Sequence, residues 1–238
     1  DLDRAARWNA LAERYGDRLP RAVREQRAAL AELRGDRPLA EKLRAEAGAT
    51  PLEAARDLYL AGSQLARQGK PRDALRHLRR ATQLDPANFS AWFLRGAAHL
   101  ALDQDEPAVL CFGACVSLRP DFAPAWRNRG LAYSRLRQFD SACDDYDRAL
   151  ALDPKCAEAY IQRGEAREAS GDPDGAIADY TRALETGVAP ARAHFKRATA
   201  KFLKGDRDGA RLDREAGFKE TPADELSWIA RAENRLPD

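Results

Sequence analysis

The sequence predicts an all-α fold of stacked helix pairs, and three observations carry that prediction. Small residues recur every 34 positions: Ala40, Ala74, Ala108, Ala142, Ala176 and Ala210 mark one place, and Ala28, Gly62, Gly96, Gly130, Gly164 and Ala198 another. A proline closes the period at Pro86, Pro120, Pro154 and Pro222. Between these marks the apolar residues step at helical spacing. Trp126, Gly130 and Tyr133 stand at i, i+4 and i+7, and Ala142, Tyr146 and Ala149 repeat that stripe after a turn placed at Arg137 to Asp140. Two amphipathic helices per period, neither able to bury its apolar face alone, make a repeat array.

The elements follow in order. Asp1 to Tyr15 reads as one helix ended by Gly16, and Ala6, one period before Ala40, makes it the second half of a repeat. Residues 21–54 form a degenerate repeat that keeps small residues at Ala28, Gly35, Ala40 and Ala47 and loses the aromatic ones. Thr50, Pro51 and Glu53 read as a helix start: cap, first-position proline, acid three after the cap. Five full repeats occupy 55–88, 89–122, 123–156, 157–190 and 191–224. The final helix, Glu225 to Leu236, carries Trp228 and Ala232 and reads as a half-repeat or cap over 225–238. Fourteen helices result: a leading half, six pairs and a trailing half.

The set Trp126, Gly130, Tyr133, Ala142, Tyr146, Ala149 and Pro154 resembles the tetratricopeptide repeat, TPR, in length and wording. The resemblance covers Leu52 to Pro222 and, more weakly, nearly the whole chain. It implies a right-handed superhelical solenoid of antiparallel helix pairs with a concave ligand groove. Two sets of residues depart from the pattern. Arg95, Arg129, Arg163 and Arg197 replace the usual leucine before the small residue, and His99, Arg167 and Lys201 stand where the family has a tyrosine like Tyr133. The wording Asn128-Arg129-Gly130 and Asp145 to Leu150 further resembles repeats beside bacterial serine/threonine kinase domains. That resemblance implies a bacterial signalling protein.

Composition narrows the function classes. A net charge of +2 with interspersed charges leaves no basic footprint for nucleic acid and no one-sided field for a membrane surface. No run of about eighteen apolar residues offers a membrane span. The four cysteines form no CxxC pair, which points to a reducing, cytoplasmic setting. With no methionine and Asp1 as its first residue, the sequence reads as a piece of a longer protein.

The motifs that suggest chemistry read as structure instead. Gly62 to Lys70 has the wrong glycine spacing for a phosphate loop. Lys204, Asp206, Asp208, Gly209 and Glu215 fall at calcium-loop spacing, but a lysine in the first ligand place repels the ion. Cys111, Cys115 and His99 supply only three zinc ligands and read as buried small residues and packing. His77 and His194 show no ligand partner at useful spacing, and Asp144, Asp145 and Asp147 diverge around a helix as a solvated face. No catalytic motif, metal site or cofactor site is expected.

Binding residues follow from the register. If Trp126, Gly130 and Tyr133 face the second helix, then Pro124, Asn128, Leu131 and Arg135, with Arg127 on the shoulder, face outward. Along the array this strip begins apolar, with Tyr59, Phe93, Leu94 and Leu131, and ends polar, with Arg127, Asn128, Gln162, Arg192 and Lys196 among Glu158 and Glu165. Two readings stay open for the apolar part: a binding strip, or contacts with a neighbouring repeat or with further chain of the longer protein. TPR domains that grip a terminal carboxylate use basic and amide side chains on successive first helices. The resemblance assigns those places to Arg127, Leu131, Gln162, Arg192 and Lys196, with Leu131 where an asparagine is expected. The expected function is a non-catalytic scaffold for a peptide or protein segment, a regulatory part of a larger signalling protein. The rival is a self-assembly module whose terminal half-repeats stack into homo-oligomers.

Overall fold

The computed structural model describes residues 21–49, 54–221 and 225–234. Among these residues there are thirteen helices and no strand. They run α1 (Arg21–Leu33), α2 (Arg37–Ala49), α3 (Ala55–Arg67), α4 (Pro71–Leu84), α5 (Phe89–Leu100), α6 (Asp105–Leu118), α7 (Ala123–Arg135), α8 (Phe139–Leu152), α9 (Ala157–Ser170), α10 (Pro173–Glu185), α11 (Pro190–Lys204), α12 (Arg207–Lys219) and α13 (Glu225–Glu233). The expected leading helix and the Thr50, Pro51 and Glu53 start lie outside the described residues. The chain divides into two compact units, 1–103 and 104–238. In the first, α1 lies on α2, α3 on α4, and α4 on α5. In the second, each helix from α6 to α11 lies on the next, α7 touches α9, α9 touches α11, and α13 lies on α11.

The small residues let paired helices approach. A Cβ on Gly62 would stand 2.6 Å from Leu78 Cγ, one on Gly130 2.9 Å from Tyr146 Cε1, and one on Gly164 2.6 Å from Tyr180 Cε1. The last full pair reverses the arrangement: Phe195 on the first helix fills the space, and Gly217 on the second makes room. A second row of small residues, which the sequence reading passed over, faces the preceding repeat. Ala91, Ala125, Ala159 and Ala193 are all fully buried. Ala193 and Ala200 on α11 join Tyr180 and Ala183 of α10, and Ala166 on α9 joins Ala142 and Tyr146 of α8. First helices are therefore packed on two sides, which leaves a narrower exposed strip than an isolated pair would show.

The turns repeat as well. Gly35, Gly69, Gly171 and Gly205 take positive φ after the first helix of their pairs, and Asp103 and Arg137 take it at the equivalent places, with φ of 54° and 59°. Gly35 is thus a turn residue rather than one of the small packing residues expected of it. The turn after α7 is also shorter than expected, because Phe139 and Asp140 already belong to α8.

Three of the four arginines in the leucine places pair with carboxylates sixteen residues on, while Arg95 donates to Thr82 Oγ1 at 3.1 Å. Arg129 holds Asp145 through two hydrogen bonds of 2.7 Å, Arg163 holds Asp179 at 2.9 and 2.5 Å, and Arg197 holds Asp213 at 2.8 and 2.5 Å. Two of these arginines also reach the preceding pair, Arg163 to Asp147 and Arg197 to Thr181 Oγ1 at 3.0 Å. The basic residues in the tyrosine places join the same carboxylates: Arg167 to Asp179 and Lys201 to Asp213, both at 2.8 Å. This corrects the reading of Asp145 as part of a solvated face, since it is buried and paired, whereas Asp144 and Asp147 are exposed as expected. It also corrects His194, whose Nδ1 lies 3.2 Å from Asp213 Oδ1. Burial raises the Asp145 carboxyl above its ordinary range despite its one cation. At Asp213 burial acts the same way, but bonds from Arg197, Lys201 and His194 outweigh it and hold the group at about 2.

Candidate functional site

The outward strip of the first helices separates into two parts, one in each unit. In the first unit Tyr59 is half-buried and packs on Leu58, Ala81 and Ala91, so its ring belongs partly to the core between α3, α4 and α5. Phe93 and Leu94 are half-buried on α5, with the Phe93 ring stacked on Phe89 at 6.0 Å between centroids.

In the second unit the strip runs over α7, α9 and α11. Leu131 from α7 and Gln162 from α9 line one pocket of about 260 Å³. Tyr146 and Ala166 form its buried floor, and Phe139 at the start of α8 supplies one wall. Ser134 Oγ and the Tyr146 hydroxyl stand 3.3 Å apart at its inner end. Burial pushes the Tyr146 phenol upward, so it stays neutral. The local sequence makes this hollow. The left-handed turn at Arg137 swings the chain so that Phe139 opens the next helix beside Leu131, while the small Ala166 leaves the space above Tyr146 unfilled.

The charged residues expected to serve a carboxylate are already engaged. Arg192 is buried, with Nη1 2.7 Å from Glu158 and Nη2 3.7 Å from Glu165. Lys196 Nζ lies 2.9 Å from Glu165. The Glu158 and Arg192 places are one period apart, so the pair ties α9 to α11. Arg127 donates to Asn128 Oδ1 at 3.3 Å. Two polar atoms on this strip are buried and make no hydrogen bond: Arg127 Nε and Gln162 Oε1. The structure thus brings Leu131 and Gln162 to one pocket, pairs Arg127 with Asn128, and ties Arg192 and Lys196 to glutamates. The Glu158 and Glu165 partners were legible in the sequence as strip residues. Their neutralising effect was not, because it depends on how far neighbouring repeats stand apart. Phe139 and Ser134 were missed, since neither falls on the outward stripe of the first helix.

The described residues hold no helix long and apolar enough to cross a membrane. All four cysteines are free thiols, with Cys111 and Cys115 buried on α6.

Comparison with known proteins gives the family. The tetratricopeptide repeat family matches residues 59–109, 127–187 and 161–224, more than half of the chain. No curated protein matches it. Among solved structures, a tetratricopeptide repeat protein from Parabacteroides merdae superposes with a TM-score of 0.69 at 22% identity, over 89% of this chain and 84% of that one. MamA from Desulfovibrio magneticus, from residue 41 to its end, gives 0.66 at 20% identity over 70% and 94%. YrrB, described as a TPR protein with an unusual peptide-binding site, gives 0.62 at 19% identity over 76% and 93%. These likenesses establish the fold, and with the matched repeats they make the chain a member of the tetratricopeptide repeat family.

Proposed function

We propose that the chain is an interaction scaffold that binds an extended peptide or protein segment on the first-helix face of its second unit and works by binding rather than catalysis. The observation that carries this reading is the pocket between Leu131, Phe139 and Gln162, which opens on the face that family membership assigns to ligands. Phe93 and Leu94 offer a separate apolar face on the first unit. The fold-level likeness to YrrB, a protein with a peptide-binding site, agrees with a peptide as the ligand class. Placement within a larger bacterial signalling protein, as regulator of a kinase in a reducing cytoplasm, completes the proposal on the strength of the Asn128 to Leu150 wording and four free thiols. The test is selection of binders from a random twelve-residue peptide library, followed by hydrogen exchange of each complex. Protection concentrated on α7, α9 and α11 is the expected result. Protection confined to the second helices α8, α10 and α12, or no binder at all, refutes it.

A second reading, self-assembly, is favoured by α13, where Leu226 and Ile229 are 50% and 46% exposed and Ala232, at the small-residue place, is exposed among the described residues. Light scattering over a concentration series decides it: a mass that stays monomeric at the highest concentration removes this reading.

A further inference from the structure

The charges on the second unit's first-helix face point away from the ligand chemistry that its residue types suggest. Arg192 and Lys196, the two cations best placed by sequence to grip a carboxylate, face glutamates at 2.7 and 2.9 Å. Arg192 is also buried, so an incoming carboxylate would have to strip a desolvated cation from the partner that neutralises it. Arg135, at the rim of the pocket, stands 3.6 Å from Asp105. Every cation bordering this face in the second unit that the family would use therefore has an anion beside it, with the exception of Arg127, which bonds to the neutral Asn128.

What the face leaves unsatisfied is one acceptor and one donor. Gln162 Oε1 is a buried acceptor without a donor, and Arg127 Nε is a buried donor without an acceptor. A buried polar atom left without a partner costs about 1 to 3 kcal/mol, so a ligand that supplies the missing partner recovers that amount. A carboxylate only accepts, so it can serve Arg127 but brings no donor to Gln162 Oε1. A peptide unit carries one N–H and one C=O and can serve both kinds of group. Beside Gln162 lies the Leu131, Phe139 and Ala166 pocket, and its volume of about 260 Å³ is below the roughly 300 Å³ at which pockets for cofactors and drug-sized molecules begin. It is sized for a side chain rather than a free small molecule.

Resting on the reading of this face as a binding surface, we infer that its ligand is an internal stretch of extended polypeptide: one large apolar side chain fills the pocket, its backbone N–H donates to Gln162 Oε1, and no terminal carboxylate takes part. Recognition is consequently insensitive to whether the peptide's end is free, and only weakly sensitive to salt, because every nearby cation named above except Arg127 is paired with an anion within the protein.

The experiment uses the full chain and the peptides recovered by library selection, each resynthesised with a free and with an amidated C-terminus and measured by isothermal titration calorimetry. Affinities of the two forms should agree within twofold, and the recovered peptides should share one large apolar residue whose replacement by alanine lowers affinity at least tenfold. Gln162→Leu, nearly the same in volume, and Leu131→Ala should each lower affinity at least fivefold, while the melting temperature confirms that both variants fold. Peptides that lose affinity tenfold on amidation, and lose it again in Arg192→Ala, would overturn the inference while leaving the scaffold function standing. Peptides that bind Gln162→Leu and Leu131→Ala as well as they bind the native chain would overturn the inference too. In that event hydrogen-exchange protection on α7, α9 and α11 would preserve the scaffold function, and protection elsewhere would end both.

Discussion

The Arg129–Asp145 pair offers the sharpest test of how this fold is held together. Asp145 is 4% exposed and Arg129 19%, their two hydrogen bonds are both 2.7 Å, and no other cation reaches Asp145 among the described residues. Removing one member of such a pair leaves a desolvated charge and costs about 3 to 5 kcal/mol, whereas removing both for apolar groups is often close to neutral. Asp145→Ala should fall at the lower end, about 3 kcal/mol, because the stranded guanidinium still sits over the Trp126 ring at 4.9 Å and the Tyr133 ring at 5.8 Å. Arg129→Leu, which restores the family's usual residue, should also cost about 3 kcal/mol, since it strands the carboxylate. The two together should cost about 2 kcal/mol or less, giving a coupling of at least about 4 kcal/mol. Repeat arrays can unfold in steps, so the free energy is best read locally, from hydrogen exchange of the α8 amides. Arg129→Leu carries a further signature: with its cation gone, Asp145 rises further, so this variant should gain stability as pH falls from 7 to 5 while the double variant does not. Additive losses, near 6 kcal/mol for the double variant, would refute the account of these arginines as partners of buried carboxylates.

Other consequences follow from the same geometry. Gly164→Ala should cost about 1 to 3 kcal/mol, because its Cβ meets the Tyr180 ring at 2.6 Å, whereas Ala178→Leu, on an exposed place, should leave the melting temperature unchanged. Gly171→Ala should cost about 1 kcal/mol through its φ of 90° alone, as nothing lies within 4 Å of the added carbon, and Arg137→Gly at the equivalent turn should stabilise by about 0.5 kcal/mol in urea melts. Asp213 is held at about 2 against an ordinary value of 3.8, so its contribution is fully present above pH 4 and is lost as pH falls through 2. The stability gap between the native chain and Asp213→Asn should therefore narrow by about 2 kcal/mol over that interval, and a gap unchanged down to pH 2 would remove the network around Asp213.

Two features of the binding face show where reading residues in order reaches its limit. Leu131 and Gln162 stand out in the sequence because an outward stripe follows from helical periodicity, and the pocket indeed lies between them. Phe139 and Ser134 complete it only because the turn at Arg137 and the antiparallel return of α8 bring them there. Arg192 and Lys196 likewise look like a basic patch when read as a string and become half of a neutral one once α9 and α11 are adjacent. Charge composition alone cannot tell a cation offered to a ligand from one already paired.

The 34-residue recurrence of Ala142, Gly130 and Pro154 was enough to establish paired helices, their order and their register, since small residues at fixed intervals have one physical use, letting backbones approach. Even the arginine and aspartate partners were present as a sixteen-residue offset repeated three times, at Arg129, Arg163 and Arg197. Which of those charges are buried, and which groups on the first-helix face remain unsatisfied, depended on the spacing between neighbouring pairs. That spacing is set by Ala125, Ala159 and Ala193 packing on the preceding repeat, a contact between residues whose separation in the chain carries no periodic signal of which partner they meet. The value of a charge or a hydrogen-bonding group depends on what stands within a few ångströms of it, and only the folded chain supplies those neighbours.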